Sequence, residues 1–242
     1  YQRSRGLGDV YKRQLLDLCR FSTNENDDPI SLSEYVEKMP EKQKDIYYIS
    51  AETKDQALAS PHLEGFKSKK IPVLIMTDAI DQFWLPMVGS FKEKKFTSIT
   101  QGQINLDDLD EKNKDKKKDD KNEKEKKDKE YVDLVAQLKV VLGDQVKDIR
   151  LSSKLTDSPV CLVADEGDMD IAMEQLMAQR DTNYKGAPRI LEINGDHSLI
   201  KNMKSLLSKK ENNDLVSDAG TLLFEQARLM EGKMTADPAQ FS

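Results

Sequence analysis

Between Asp107 and Glu130 the chain carries 21 charged residues in 24, of which 11 are acidic and 10 are Lys. A stretch like this has almost no apolar surface to bury, so little offsets its ordering entropy of about 1–2 kcal/mol per residue. The sequence therefore reads as two domains, at 15–106 and 131–242, joined by a charged flexible linker at 107–130. Opposite charges at helical spacing would let part of that linker form a transient single helix. Charged residues make up 34% of the 242, but without the insert the figure falls to about 28%, near the globular norm. The two signs nearly cancel within the insert and the net charge is −6, which argues against nucleic acid as a partner. No apolar run reaches the roughly 18 residues a membrane span requires.

Residues 1–14 hold Arg3, Arg5, Lys12 and Arg13 with Gly6 and Gly8 and no apolar period, and read as a non-native leader. In the first domain, Ser31 with Glu34 three residues on predicts a capped helix over 33–39, stopped by Pro40. Three β-rich runs follow, at 46–50, 72–77 and 96–100. Helical stretches at 53–69, interrupted by Pro61, and at 79–88, shortened by Pro86, separate them. Strand–helix–strand–helix–strand implies a small parallel α/β unit.

The second domain reads as α+β. It starts with a helix at Tyr131 that ends at Gly143, followed by strands at 146–151, 160–164 and 189–193. Asp165 is the predicted cap of a helix running to Gln179, and further helices are predicted at 197–207 and 214–230. Apolar residues on the last helix cover a wider face than one small neighbour would bury.

Catalytic chemistry is sparse. There is no glycine-rich phosphate loop and no metal-ligand spacing among two His and two Cys. Cys19 and Cys161 read as buried thiols of a reducing, cytoplasmic compartment, and His62 and His197 as first-turn helix residues. Asp78 and Asp81 follow the second strand, where α/β proteins place metal or phosphoryl groups, so a Mg-dependent phosphoryl-transfer enzyme is one reading. In the simpler reading Asp78 caps the helix and Asp81 occupies its first turn. Two apolar features remain. Phe83-Trp84-Leu85-Pro86-Met87-Val88 is too continuous for one short helix to bury completely. Met169, Met173, Leu176 and Met177 form a stripe at i, i+4, i+7 and i+8, either core or a contact surface for varied apolar partners.

Several phrases, in order, resemble the carboxyl half of the heat-shock protein 90 family, in its bacterial HtpG type. They include Ser33-Glu34-Tyr35-Val36, Gln43-Lys44-Asp45-Ile46-Tyr47-Tyr48-Ile49, Ser60-Pro61-His62-Leu63-Glu64, Gly143-Asp144-Gln145-Val146-Lys147-Asp148-Ile149-Arg150-Leu151 and Leu155-Thr156-Asp157-Ser158-Pro159. The resemblance implies a dimeric, ATP-driven chaperone of which this chain holds the end of the middle domain and most of the carboxyl-terminal dimerisation domain. ATP and Mg would then serve the intact protein, and the fragment itself would use no cofactor and catalyse nothing. The resemblance also maps contacts with unfolded client proteins to Gln82, Phe83 and Trp84 and to Met169, Met173, Leu176 and Met177. It maps homodimer contacts to Leu215, Ala219, Leu222, Leu223 and Met230, on a helical bundle whose second helix would begin near Asp237-Pro238 and be mostly missing.

Overall fold

The computed structural model describes residues 14–26, 28–106, 109, 117–180, 186–207 and 212–233, with side chains in 117–142 described from Lys126 onward. The chain forms two compact units, Tyr1–Ile99 and Thr100–Ser242. Both are mixed α/β. The stretch from Thr100 belongs with the second unit: the Ala164 amide donates to the Thr100 carbonyl (2.9 Å), and the Ser153 hydroxyl donates to that of Ile104 (3.0 Å).

In the first unit a helical turn at 14–18 precedes a two-residue strand β1 (Ser22–Thr23) and helix α1 (Leu32–Lys38). The capping box forms as the sequence predicts: Ser31 Oγ accepts from the Glu34 amide (3.2 Å), and Glu34 Oε2 accepts from the Ser31 amide (2.7 Å). Tyr35, fully buried on α1, donates its hydroxyl to the Pro72 carbonyl (2.6 Å) and accepts from the Tyr47 amide (3.1 Å). One phenol thus ties α1 to the starts of two central strands.

Those strands are β2 (Ile46–Ser50) and β3 (Leu74–Met76), linked by α2 (Lys54–Leu58), a 3-10 turn at Pro61–Leu63 and α3 (Glu64–Ser68). Pro61 restarts the helix, as expected. After β3 come α4 (Asp81–Val88), β4 (Ser90–Phe91) and β5 (Lys94–Ser98). The sheet order is β1-β3-β2-β5-β4. Both β3 and β5 pair with β2 in parallel, and the outer strands β1 and β4 pair antiparallel. The parallel centre agrees with the sequence; the antiparallel edges are additional. They are two residues long, too short to leave a period.

The second unit starts its regular structure with α5 (Lys117–Leu142), which corrects two readings. The helix begins 14 residues before Tyr131, and 117–130 is helical where the sequence predicts a linker. The docked half supplies the nucleus, with Tyr131, Leu134, Leu138 and Leu142 buried, and propagation from a formed helix is far easier than starting one. Charge pairs then hold the upstream turns: Lys127 to Asp196 (2.9 Å) and Lys204 to Glu130 (2.7 Å). Gly143, at φ +48°, ends the helix where expected.

Strands β6 (Val146–Leu151) and β7 (Val160–Val163) follow, then α6 (Ile171–Arg180), β8 (Arg189–Ile193), α7 (Ser198–Leu207) and α8 (Asn213–Met230). The sheet runs β6-β8-β7, with β8 parallel to β6 and antiparallel to β7. Leu134, Leu138, Ile193, Ile200, Val216, Leu223 and Phe224 form its core with α5, α7 and α8 around them. A side chain at Gly220 would collide with Leu138, so α5 and α8 approach closely at that point. The central strand also buries Glu192, which is neutralised by Arg150 (2.7 Å) and Lys154 (3.8 Å) and accepts from the Ser152 hydroxyl (2.9 Å).

Candidate functional site

Helix α4 shows how one short segment serves both core and surface. Asp78 does not cap it; Ile80 occupies the cap position with no side-chain bond, which corrects the simpler reading of that acid. Asp81 does the local work instead. One carboxylate oxygen accepts from the Trp84 indole N–H (2.6 Å) and the other from the Asp78 amide (3.3 Å). Burial pushes this carboxyl above its ordinary value, against the two hydrogen bonds. With both oxygens committed, Asp81 is poorly placed to bind a metal or phosphoryl group. No group of three or more His, Cys, Asp or Glu among the described residues could hold a metal ion.

The indole so held lies between Phe21 (6.1 Å between centroids) and Phe96 (5.8 Å, edge-on), and packs on the first unit's core. Trp84 therefore faces inward and is half-buried, as is Gln82, while Phe83 faces out. The outward surface includes Ile80 (64% exposed), which the sequence reading left out, and Met87 (78% exposed), which it placed in the apolar run but not among the contact residues. Ile80, Phe83 and Met87 stand at i, i+3 and i+7, a spacing that was available in the sequence. Pro86 does not shorten the helix, which runs to Val88 and stops at Gly89 with φ +69°. A proline near the end of so short a helix forfeits only one backbone bond.

Helix α6 carries the methionines, and it starts later than predicted. Asp165 is not its cap; it pairs with Lys147 (2.8 Å), and its carboxylate accepts from the Glu166 amide in a preceding turn. Asp170 takes the capping role, accepting from the Ala172 amide (3.0 Å) and from the Thr100 hydroxyl (2.9 Å). Met169 consequently sits in the turn before the helix, exposed like Met177, while Met173 and Leu176 are half-buried.

Only Ile171 and Glu174 of α6 are buried. Glu174 pairs with Arg189 on β8 and with Lys233 (3.2 Å) just after α8. Arg189 also donates to the Met169 carbonyl (2.8 Å), and Gln175 donates to the Glu231 carbonyl (2.6 Å). Glu231 is itself buried, and neither carboxylate oxygen has a hydrogen-bond partner among the described residues. Burial raises its pKa to about 7, with Lys233 and Arg189 opposing and Glu174 and Asp170 adding to the rise.

Helix α8 splits its wide apolar face in two. Val216, Leu223, Phe224 and Ala227 enter the core, so Leu223 is corrected from a self-association contact to a packing residue. Leu215, Leu222 and Leu229 are 45–57% exposed at seven-residue intervals, with Met230 exposed beside them and Ala219 half-buried. Leu229 was missed although it completes that interval.

The remaining candidates are structural. His62 is buried in the 3-10 turn, and His197 Nδ1 accepts from the Leu199 amide (3.2 Å) at the start of α7. Cys161 is buried but Cys19 is exposed, which corrects the reading of both as buried. No described helix is long and apolar enough to cross a membrane.

The family model described as Hsp90 protein matches residues 8–242. Chaperone protein HtpG of Roseobacter denitrificans is 42% identical over 230 residues, covering 94% of this chain and 36% of that protein. The chaperone protein HtpG of Paramagnetospirillum magneticum is 38% identical, covering 96% of this chain and 37% of its own. That of Wolbachia pipientis wMel is 36% identical, with 96% of this chain and 36% of the relative covered. The chain thus spans little more than a third of the length of these relatives. With the family model matching nearly from end to end, this chain belongs to the heat-shock protein 90 family, in its bacterial HtpG type.

Proposed function

We propose that this chain is a client-holding and self-associating portion of an ATP-dependent chaperone. The observation that carries the reading is the excess of exposed apolar side chains on helices whose inner faces already serve folded units. Ile80, Phe83 and Met87 stand outward on α4, and Met169 and Met177 flank the half-buried Met173 and Leu176 on α6. Methionine is flexible and polarizable, so a surface rich in it adapts to varied unfolded sequences without demanding one shape. ATP and Mg would act in the whole protein, whose nucleotide-driven closure would change the spacing of the two faces. The exposed leucine repeat on α8 supports homodimerisation, since a seven-residue interval is what one helix presents to another along a shared seam.

The test is suppression of aggregation of a thermally unfolded model protein. Replacing Phe83 and Met87 together by Ala is expected to lower suppression severalfold while circular dichroism and melting stay unchanged. Full suppression by that folded variant overturns the assignment of α4. Met177→Asp tests α6 in the same way.

A further inference from the structure

Helix α6 has a peculiar anchorage: one aliphatic side chain, Ile171, and one carboxylate, Glu174, are its only buried residues. The carboxylate has two partners on different elements. Arg189 fixes it to the sheet, and Lys233 fixes it to the chain end of α8.

The position of Lys233 is dictated by how α8 terminates. The Gly232 amide donates to the Leu229 carbonyl (2.9 Å) and the Lys233 amide to that of Arg228 (3.0 Å), with Gly232 at φ +73°. This is a Schellman close, in which the backbone reverses and the residue after the glycine is turned back along the helix. The Lys233–Glu174 pair is thus formed with the last turn of α8 wound. Gln175 adds a second strut, its amide held on the carbonyl of Glu231, the residue that closes α8. Leu229 and Met230 lie in that same last turn, and both face outward.

Resting on the reading given under Proposed function, we propose that Glu174, Lys233 and Gln175 couple self-association through α8 to client binding on α6. A second copy of the chain packed on Leu222, Leu229 and Met230 stabilises the last turn of α8 and with it the position of Lys233. The strut then holds α6, and with it Met173, Leu176 and Met177, in one setting. Binding of an unfolded chain that prefers this setting favours the dimer by the same factor, because linkage is reciprocal.

The experiment uses the whole chain. Its dimer dissociation constant is measured by sedimentation, with and without saturating reduced, carboxymethylated α-lactalbumin, a permanently unfolded probe. The expected shift is about tenfold in the unmodified chain. Lys233→Met leaves the Arg189–Glu174 pair in place and is expected to reduce the shift below about twofold, with dimerisation alone and probe binding alone each changed less than about threefold. Lys233→Arg is expected to restore the shift. As a second readout, the methyl resonances of Met173 and Met177 move on dimerisation in the unmodified chain and not in Lys233→Met. A full shift retained in Lys233→Met, or no shift in a chain that both dimerises and binds the probe, overturns the coupling. A chain that does neither overturns the reading of the two faces themselves, and the coupling with it.

Discussion

Helices α4 and α6 both present apolar side chains outward, but they are fastened by different physics. Helix α4 is seated by Leu85 and by an indole lying between two phenyl rings. Helix α6 is seated by a carboxylate between two cations. Aromatic burial draws on many small contacts with the neighbouring rings, whereas a buried ion cluster is strongly destabilised when one member is lost. The first fastening makes a fixed platform and the second a platform whose position depends on charges elsewhere in the unit.

The largest expected effect breaks the second fastening alone. Glu174→Ala leaves Arg189 buried without its carboxylate and is expected to destabilise the second unit by about 3–5 kcal/mol. Trp84 is the only tryptophan, so its fluorescence follows the first unit in urea while far-ultraviolet circular dichroism follows both. The expected outcome is an early circular-dichroism transition with an unmoved fluorescence midpoint. Coincident early transitions would show that the fastenings are not separate.

The converse substitution is Trp84→Ala, expected to remove about 2–3 kcal/mol from the first unit, because the indole is half-buried and leaves a partly filled space. Phe83→Ala on the same helix is expected to stay within about 0.5 kcal/mol, as an exposed side chain should. Urea midpoints followed by circular dichroism distinguish them, and equal losses would refute the inward–outward division.

Acidity should act on one unit more than the other. The Glu231 carboxyl titrates near 7 when folded, against 4.5 for the ordinary side chain, so the folded state holds the extra proton between those values. Its contribution is therefore complete below about pH 4.5, falls as pH rises from there to 7 and is flat above, a drop of about 3 kcal/mol. Glu231→Gln is expected to remove that slope from the second unit's urea midpoints; a slope that survives belongs to another group. The salt-bridged Asp165 and Asp196, held below their ordinary range by Lys147 and Lys127, contribute in the opposite sense and only at lower pH.

The smallest effect concerns the first unit alone. Lys92 and Glu93 form the β4–β5 turn with φ of 46° and 64°, a conformation that disfavours both side chains. Glu93→Gly is expected to stabilise that unit by about 1 kcal/mol in thermal melts without moving the second. Destabilisation would mean that contacts of the Glu93 side chain outweigh the backbone strain.

How much of this was legible in the sequence depends on the range of the forces involved. Strands β2, β6 and β8 and the capping box at Ser31 were readable because they follow from neighbouring residues. The outward face of α4 was half readable: the spacing of Ile80, Phe83 and Met87 was present, but the inward turn of Trp84 needs Phe21, just before β1, and Phe96 on β5. The start of α6 was misread because Asp165 and Asp170 are equally good caps locally. Lys147 takes the first and Thr100 helps fix the second. The cluster at Glu174 was invisible, since its members are separated by 15 and 59 residues and an isolated Glu on a helix gives no sign of burial.

The leucines at 215, 222 and 229 carry a geometric demand of their own. Their interval asks for 3.5 residues per turn where an unbent helix supplies 3.6, so the stripe drifts by about 20° per heptad. Over the two heptads from Leu215 to Leu229 that is about 40°, a drift that a neighbouring helix would follow best by crossing α8 with a left-handed twist.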